Sequence, residues 1–444
     1  MSPDVIVLGG GISGLSAAWA ARRAGRKVVL LESSDRVGGS ILTREVPGAR
    51  GGVARFDCGA TSTLLKHDSV REMIREAGLE SDVLRPPKEA STRWILLGGR
   101  LHALPLGPLS LATTRLFSGR DKLRLLGEPF RKPAPAAAEE TIAEFAARRL
   151  GPSFVANAVG PFVSGVYAGD PDRLAVRHAA PALWSLEQEH GSLLRGAFAK
   201  RSGPGPRGAL VSFRGGMRTL PEGIARALGP EVVRTGHRVE RVTRGADGAF
   251  RVEGPGFSLA APRLVCALPA HALAPLAPLG DVRAFADLPY ASVATVFLSF
   301  RAEDVAASVR GFGFLRSMRE DARVLGCLFT SRLWDDRVPA GEIALTAFYG
   351  GRRDPATAEL PEEEILALAR RELGAVLPLA GDPVRAAVQR WRPAIPQMER
   401  GHARFLAAAA LLEAANPGLA FAGNWLQGVS VADCADRGLR AGAG

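Results

Sequence analysis

Lysine is scarce in this chain of 444 residues: Lys27, Lys66, Lys88, Lys122, Lys132 and Lys200 are the whole supply, against 57 basic residues in all. Arginine provides the rest and sets the net charge of +12. Such an Arg-, Ala- and Gly-rich composition follows from GC-rich coding. It also suits anionic ligands, because the planar guanidinium fork matches carboxylates and phosphates. Nowhere does a basic block alternate with aromatics, which argues against nucleic acid as a partner. Cysteine is rare too. Cys58, Cys266, Cys327 and Cys434 stand far apart, none at C-x-x-C spacing, so neither a disulfide framework nor a metal site is expected. Long hydrophobic runs are missing. One charge-free stretch, 264–280, holds Pro269, Pro275 and Pro278, which a spanning helix would rarely carry. A softer stretch, "LHALPLGPLSLATT" at 101–114, is also broken by proline and reads as a pocket lining or as a segment dipping into a membrane face. No basic leader precedes the first strand after Asp4, so no signal peptide is expected. The expected location is the cytoplasm, peripheral on the membrane face. What remains is a chain 47% hydrophobic, enough to fill the cores of two or three domains.

The most informative stretch comes at once. "VIVLGGGISGL", 5–15, is a short apolar run followed by G-x-G-x-x-G at Gly9, Gly11 and Gly14, with Gly10, Ile12 and Ser13 between them. An unbroken apolar run fits a strand buried on both faces. A helix is predicted over 13–24 with Gly25 as its C-cap, then a second strand, "KVVLLES", ending at Glu32. In such a β-α-β unit the first glycine allows the tight turn, the second lets a pyrophosphate approach the backbone, and the third lets helix pack on strand. The helix start then faces the phosphates. Glu32 stands 18 residues after Gly14, close to the ~20 at which a carboxylate accepts from ribose hydroxyls. "SSDRVGGS" follows directly. Its Arg36, Gly38 and Gly39 match the second glycine motif of flavoproteins that resemble the amine oxidases, which points to FAD as the cofactor.

Further along, Val70, Met73, Ile74 and Ala77 predict a helix over 69–77. From about 100 to 200 the pattern is mostly helical with Pro-rich joints, and "EETIAEFAARRLG" is a clear amphipathic helix. "RSGPGPRG", 201–208, reads as an exposed loop. Strands are expected at 238–244, 263–270, 293–300, 342–349 and 418–424. A helix is expected at 361–373 with Pro361 at its first position and acids in its first turn. The short end "RGLRAGAG" leaves the last helix expected to be clipped or frayed.

An ordered set of segments then resembles the protoporphyrinogen oxidases, FAD enzymes late in haem synthesis. "RWILLGGRLHALP" at 93–105 and "VSGVYAGDPDRL" at 163–174 come first, then "EHGSLLRG" and "SFRGGMRTLPEGI". "GFGFL" at 311–315, "IPQMERGH" at 395–402 and "GNWLQGVSVADC" at 423–434 follow in the family's order. The resemblance implies an α/β architecture with a discontinuous Rossmann-type FAD-binding domain from 1–88, 211–279 and 390–444. A mixed-sheet substrate-binding domain would be built from 89–105 and 280–389. The helical region 106–210 would cover the active site; in the family it carries membrane attachment. By resemblance, Gly9 to Gly14 and Glu32 hold the ADP half. Ser40 and the loop Gly59-Ala60-Thr61-Ser62 sit by the flavin, and Val239 meets the adenine through its backbone. Val429, Ser430 and Val431 face the isoalloxazine at a helix start, where the positive end favours reduced flavin. Trp391 packs near it. Arg93 is the candidate partner of a substrate propionate, Gly165 leaves room for a flat ring system, and Leu315 and Phe348 sandwich it. The family often has Pro-Asn where this chain has Ala60-Thr61, and an aromatic where it has Met398.

The implied reaction removes six electrons from protoporphyrinogen IX in three steps, each passing a hydride to flavin N5, with O2 as acceptor and hydrogen peroxide as by-product. Pyrrole nitrogens release the protons, so no protein side chain is singled out as catalytic. Coproporphyrinogen III oxidation is the nearest rival on the same fold. Amine oxidases and carotenoid desaturases follow; the former flank the flavin with aromatics, for which only Trp425 stands at a suitable place. A binding protein like the Rab GDP-dissociation inhibitors, without working flavin, conflicts with the intact glycines and Glu32. The expected partners are thus a porphyrinogen, O2 and a membrane face, with a homodimer as the expected assembly.

Overall fold

Val5, Ile6, Val7 and Leu8 are all buried, yet they serve two different cores. Val5 and Val7 point into one cluster with Leu15, Ala18, Leu30 and Ile224, while Ile6 and Leu8 point into another with Val29, Val242, Leu264 and Phe421. That is why the run does not alternate: a central parallel strand has no wet face. The computed structural model describes residues 2–48, 51–135, 138–202, 208–426 and 428–444. In it, Val5–Leu8 lies at the middle of a five-stranded parallel sheet. The strand order is Val233–Arg234, Val28–Leu31, Val5–Leu8, Arg263–Cys266 and Leu419–Phe421.

The helix Ile12–Arg23 packs on this sheet and is itself packed by the last helix, Val431–Ala443. Two glycines make that contact. A Cβ on Gly438 would lie 2.1 Å from the Ser13 carbonyl oxygen, and one on Gly442 would lie 2.1 Å from that of Ala17. The expected fraying therefore does not occur. The helix runs to Ala443, and Arg26 donates to the Gly442 carbonyl at 3.0 Å; the run "GLRAG" is small because another backbone lies against it.

A second sheet has seven strands and mixed direction. Its order is Arg385–Pro396, Tyr290–Arg301, Glu342–Gly350, Gly326–Leu328, Gly313–Arg316, Arg93–Leu97 and Arg100–Ala103. The pair Gly313–Arg316 with Arg93–Leu97 is parallel; the others are antiparallel. The α/β class with a parallel and a mixed sheet is thus present. One face of the mixed sheet is sealed by the helix Glu362–Val376, whose Ile365, Leu368 and Leu373 join Val296, Phe314 and Leu345. Pro361 is the N-cap of that helix and not its first residue, one position away from expectation. The strand Arg385–Pro396, which the sequence pattern did not announce, runs unbroken through residue 390.

Helices fill most of 108–202. The amphipathic one is Ile142–Arg149, opened by a reciprocal cap in which Thr141 and Glu144 each bond the other's backbone N–H. Its Arg149 is nevertheless wholly buried, because Glu128 and Glu187 accept from its guanidinium. Glu128 also takes the N–H groups of Leu193 and Leu194 at the start of the helix Leu193–Ser202. The expected loop at 201–208 begins inside that helix; its centre, 203–207, lies outside the described residues. Among the described residues, no helix is long and apolar enough to cross a membrane, and no group of His, Cys, Asp and Glu could hold a metal ion.

Candidate active site

The glycine-rich turn explains itself once Cβ atoms are imagined on it. One on Gly14 would fall 1.9 Å from the Gly9 carbonyl oxygen, so helix and strand meet there only because Gly14 has none. Gly9 has φ +98°, a conformation that side chains resist. In front of Gly11 the space is open, with nothing within 4 Å of a Cβ. Gly11 caps the helix without a side-chain bond, and no acid stands in the first turn at Ile12 and Ser13. An open approach to an uncapped helix start is an anion site.

Glu32 lies beside this turn. Its Oε2 accepts the Gly10 N–H at 2.7 Å, and its Oε1 accepts from the Ser34 N–H and hydroxyl, both at 2.8 Å. His237, two residues before Val239, donates its N–H to the Glu32 carbonyl at 2.8 Å, and Val239 packs on the core that holds Leu8 and Leu31. The second glycine motif closes the ring: Gly38 N–H donates to the Gly10 carbonyl, and Arg36 ties the loop by bonding the carbonyls of Val37, Ile41 and Gly39. A Cβ on Gly39 would lie 3.5 Å from Gly11 Cα. Turn, second motif and Glu32 thus form one cradle of backbone donors and a single carboxylate, which fits the ADP half of FAD.

The predicted flavin-side residues continue from there. A Cβ on Gly59 would lie 2.0 Å from the Ser40 carbonyl oxygen and 3.6 Å from the Trp391 ring. Trp391 also donates to the Cys58 carbonyl at 3.0 Å. Ala60 and Val431 pack on the same core cluster, while Thr61 and Ser62 lead from Gly59 into the strand Thr63–Leu65. Ser430 is the N-cap of the last helix, accepting the Asp433 N–H at 3.2 Å. Val429 packs instead on the helical region, with Met398 and Tyr167.

Sequence reasoning missed the charges at this helix start. Lys66 Nζ lies 2.7 Å from Asp433 Oδ1, and His67 Nε2 lies 3.0 Å from the same oxygen. Burial opposes the charge on Asp433, but bonds from Lys66, Ser430 and His67 outweigh it and hold the carboxyl below its usual range. Cys58, next to the flavin-side loop, is inert as an acid: burial pushes its thiol up to about 12.

The residues expected to meet substrate come together through sheet register. Leu315 is paired with Gly326, and Gly326 with Phe348. Directly paired residues share a face, so Leu315 and Phe348 flank Gly326, over which Leu315 leans: a Cβ on Gly326 would lie 2.8 Å from Leu315 Cδ2. Strands are ~4.8 Å apart, so the two side chains are roughly 10 Å apart at their roots. Gly326 was not foreseen, although a lone glycine inside an apolar strand marks a close approach. Leu315 also pairs with Ile95, and Arg93 lies two residues along on the same face. Its guanidinium is exposed, lies 5.2 Å from the Phe312 ring centre, and has no carboxylate partner among the described residues. Gly165 closes the slot from the helical region: a Cβ on it would come 2.3 Å from Leu315 Cδ2. Trp425 does not flank this space. It is fully buried between Phe285 and Phe421, with its N–H on the Leu268 carbonyl; a ring that size completes the core beneath the parallel sheet.

A dinucleotide cradle built from two glycine motifs and Glu32 on a parallel sheet defines an FAD-dependent oxidoreductase. Comparison with known proteins narrows the class. The chain belongs to the flavin-containing amine oxidoreductase family, whose model matches residues 12–443. It is 32% identical to chloroplastic protoporphyrinogen oxidase 1 of Arabidopsis thaliana, over 98% of this chain and 86% of that protein. Coproporphyrinogen III oxidase of Bacillus subtilis is 28% identical over 98% of this chain and 96% of its own length. A solved structure from an Exiguobacterium species shares the fold, with a TM-score of 0.81 at 24% identity over 98% of this chain and 97% of that one.

Proposed function

We propose that the chain oxidises protoporphyrinogen IX to protoporphyrin IX with O2 as acceptor. The slot carries this reading: Leu315 and Phe348 stand across Gly326, Gly165 lies against Leu315, and Arg93, without a carboxylate partner among the described residues, stands on the same face. A tetrapyrrole is flat, apolar in its body and carboxylate-tailed, which matches each of those features. The names of the relatives support the same choice. FAD, when bound in the cradle, would supply a two-electron oxidation, so the six-electron change takes three rounds. The chain's own part is positioning. Leu315 and Phe348 hold the ring by its faces and exclude water, while Arg93 fixes one end through a charge-assisted bond. With the pyrrole nitrogens able to release their own protons, the slot needs no side-chain base, and its walls offer none.

Coproporphyrinogen III is the second reading. It carries four carboxylates where protoporphyrinogen carries two. One observation favours it: Arg353 is exposed beside Met318, which it touches at 3.5 Å, and Met318 packs on Gly160 of the cover helix. A second cation there, in no ion pair among the described residues, would meet additional carboxylates. We also read 1–88, 211–279 and 390–444 as the FAD-binding part, and 89–105 with 280–389 as the substrate part. The exposed Leu106, Leu109, Leu123, Leu126 and Phe130 are the proposed peripheral contact with the cytoplasmic face of a membrane.

The test is an oxygen assay with each porphyrinogen, following porphyrin fluorescence and peroxide. Faster turnover of protoporphyrinogen IX supports the main reading, faster turnover of coproporphyrinogen III the second, and a flavin-loaded protein that oxidises neither refutes both. Arg93→Ala is expected to raise KM about tenfold and leave kcat within about twofold, since it removes binding that is uniform along the reaction.

A further inference from the structure

The helix that carries Gly165 is not regular. It starts at Pro152 and ends at Tyr167, but over Val155–Val159 it widens, and Gly160 N–H donates to the Val155 carbonyl, five residues back. Its cause is legible: Pro161 has no N–H to give the Asn157 carbonyl four residues earlier, and its ring would press on that group. Wide turns of this kind are rare and concentrate at functional sites.

What the widened turn releases, the substrate sheet takes up. The Ala156 carbonyl accepts the Met318 N–H at 2.9 Å. Asn157, 1% exposed, donates to the Leu116 carbonyl and accepts from Ser317 Oγ, both at 2.6 Å. Ser317 and Met318 directly follow the strand that bears Leu315. The same strand end is fitted to the helix at Gly160, where a Cβ would lie 2.5 Å from Met318 Cγ, and at Gly165, where one would lie 2.3 Å from Leu315 Cδ2.

A wide turn holds one residue more than a regular one, and one residue is about 100° of helix rotation. Run as a regular helix from the same start, the chain would bring Ser164 where Gly165 now stands, with a side chain where Leu315 leaves no space. We propose that the wide turn is the register device of the slot: Asn157, locked to Ser317, is a positioning residue that sets Gly165 over Leu315 and thereby fixes the width open to a porphyrinogen. This rests on the slot reading above.

The test uses the FAD-loaded protein and the variants Asn157→Ala, Ser317→Ala, their double, and Pro161→Ala. Asn157→Ala is expected to raise KM for the preferred porphyrinogen about tenfold with kcat within about twofold and flavin content unchanged. The double variant should be no worse than the poorer single, because both act through one bond. Pro161→Ala restores the donor that a regular helix needs. It should free the Met318 amide, whose hydrogen exchange then quickens about tenfold or more. Unchanged KM in Asn157→Ala overturns the proposal, as does a parallel loss of kcat, KM and flavin. Unchanged exchange at Met318 in Pro161→Ala overturns it whatever the substrate is. A wild-type protein that oxidises neither porphyrinogen would sink the slot reading alone, and the exchange result would still decide the register.

Discussion

The dinucleotide turn and the proposed substrate slot both depend on missing Cβ atoms, yet the absences serve different ends. At Gly14, Gly438 and Gly442 the atom that a Cβ would strike is a backbone oxygen, 1.9–2.1 Å away. Neither side can yield without moving a helix or strand. At Gly165 the atom struck is the tip of Leu315, which can rotate away. The first kind of glycine is a condition of assembly and cofactor binding. The second sets a dimension of the site. One region is rigid because backbone meets backbone; the other is adjustable because backbone meets a side-chain end.

Gly14→Ala should therefore do most damage. The Ile12–Arg23 helix would be forced off the first strand and away from the phosphate position. The purified variant is expected to be colourless, with a flavin-to-protein ratio below about a tenth of wild type by absorbance, because no smaller shift relieves the contact. A yellow Gly14→Ala protein of normal occupancy would erase the contrast drawn above.

Gly165→Ala should be milder and of another kind. Leu315, which already leans over Gly326, must shift, so kcat/KM for the porphyrinogen is expected to fall about tenfold while flavin occupancy stays normal. Adding Leu315→Ala removes the atom that collides and should recover much of the loss. If the double variant is no better than the single, the collision is with something other than Leu315 and the slot's wall is misplaced.

This contrast also sets what was legible in the sequence. Phosphate binding by a backbone cradle demands glycines at fixed offsets and an acid about 20 residues on, so Gly9, Gly11, Gly14 and Glu32 could be read from spacing alone. An apolar slot makes no such demand. Leu315 and Phe348 look like any core residues in "GFGFL" and "TAFYG", and only a family resemblance raised them. The sheet register that faces them across Gly326 joins three separate segments, 313–316, 326–328 and 342–350, and no local pattern records it. Buried charge was equally hidden. Arg149 sits in an amphipathic helix where its sequence position says surface, and its partners Glu128 and Glu187 lie 21 and 38 residues away. Pro161 was visible throughout, but what it does to the helix requires knowing that Ser317 and Met318 wait for the freed carbonyl.

The smallest effect is expected where the cover meets the flavin side. His402, 1% exposed, opens the helix Ala403–Ala415, and its ring lies 5.3 Å from that of His178, with Glu139 also nearby. Burial, reinforced by His178, lowers its pKa to about 4. In the unfolded chain a histidine titrates near 6.5. Between those values the unfolded state binds the proton and the folded state does not, so stability rises with pH through that window and is lost as pH falls from 6.5 toward 4. The whole shift corresponds to about 3 kcal/mol, or roughly 3 °C in Tm for a chain of this size. His402→Phe should flatten the Tm profile between pH 7 and 4.5, leaving the slighter slope due to His178 and His271, which burial also lowers. Asp433 and Glu187 titrate below the usual carboxylate range and so add little there. A profile equally steep in the variant would mean that the ring takes its proton in the folded protein, and that the cover is looser at this seam than at the Asn157 lock.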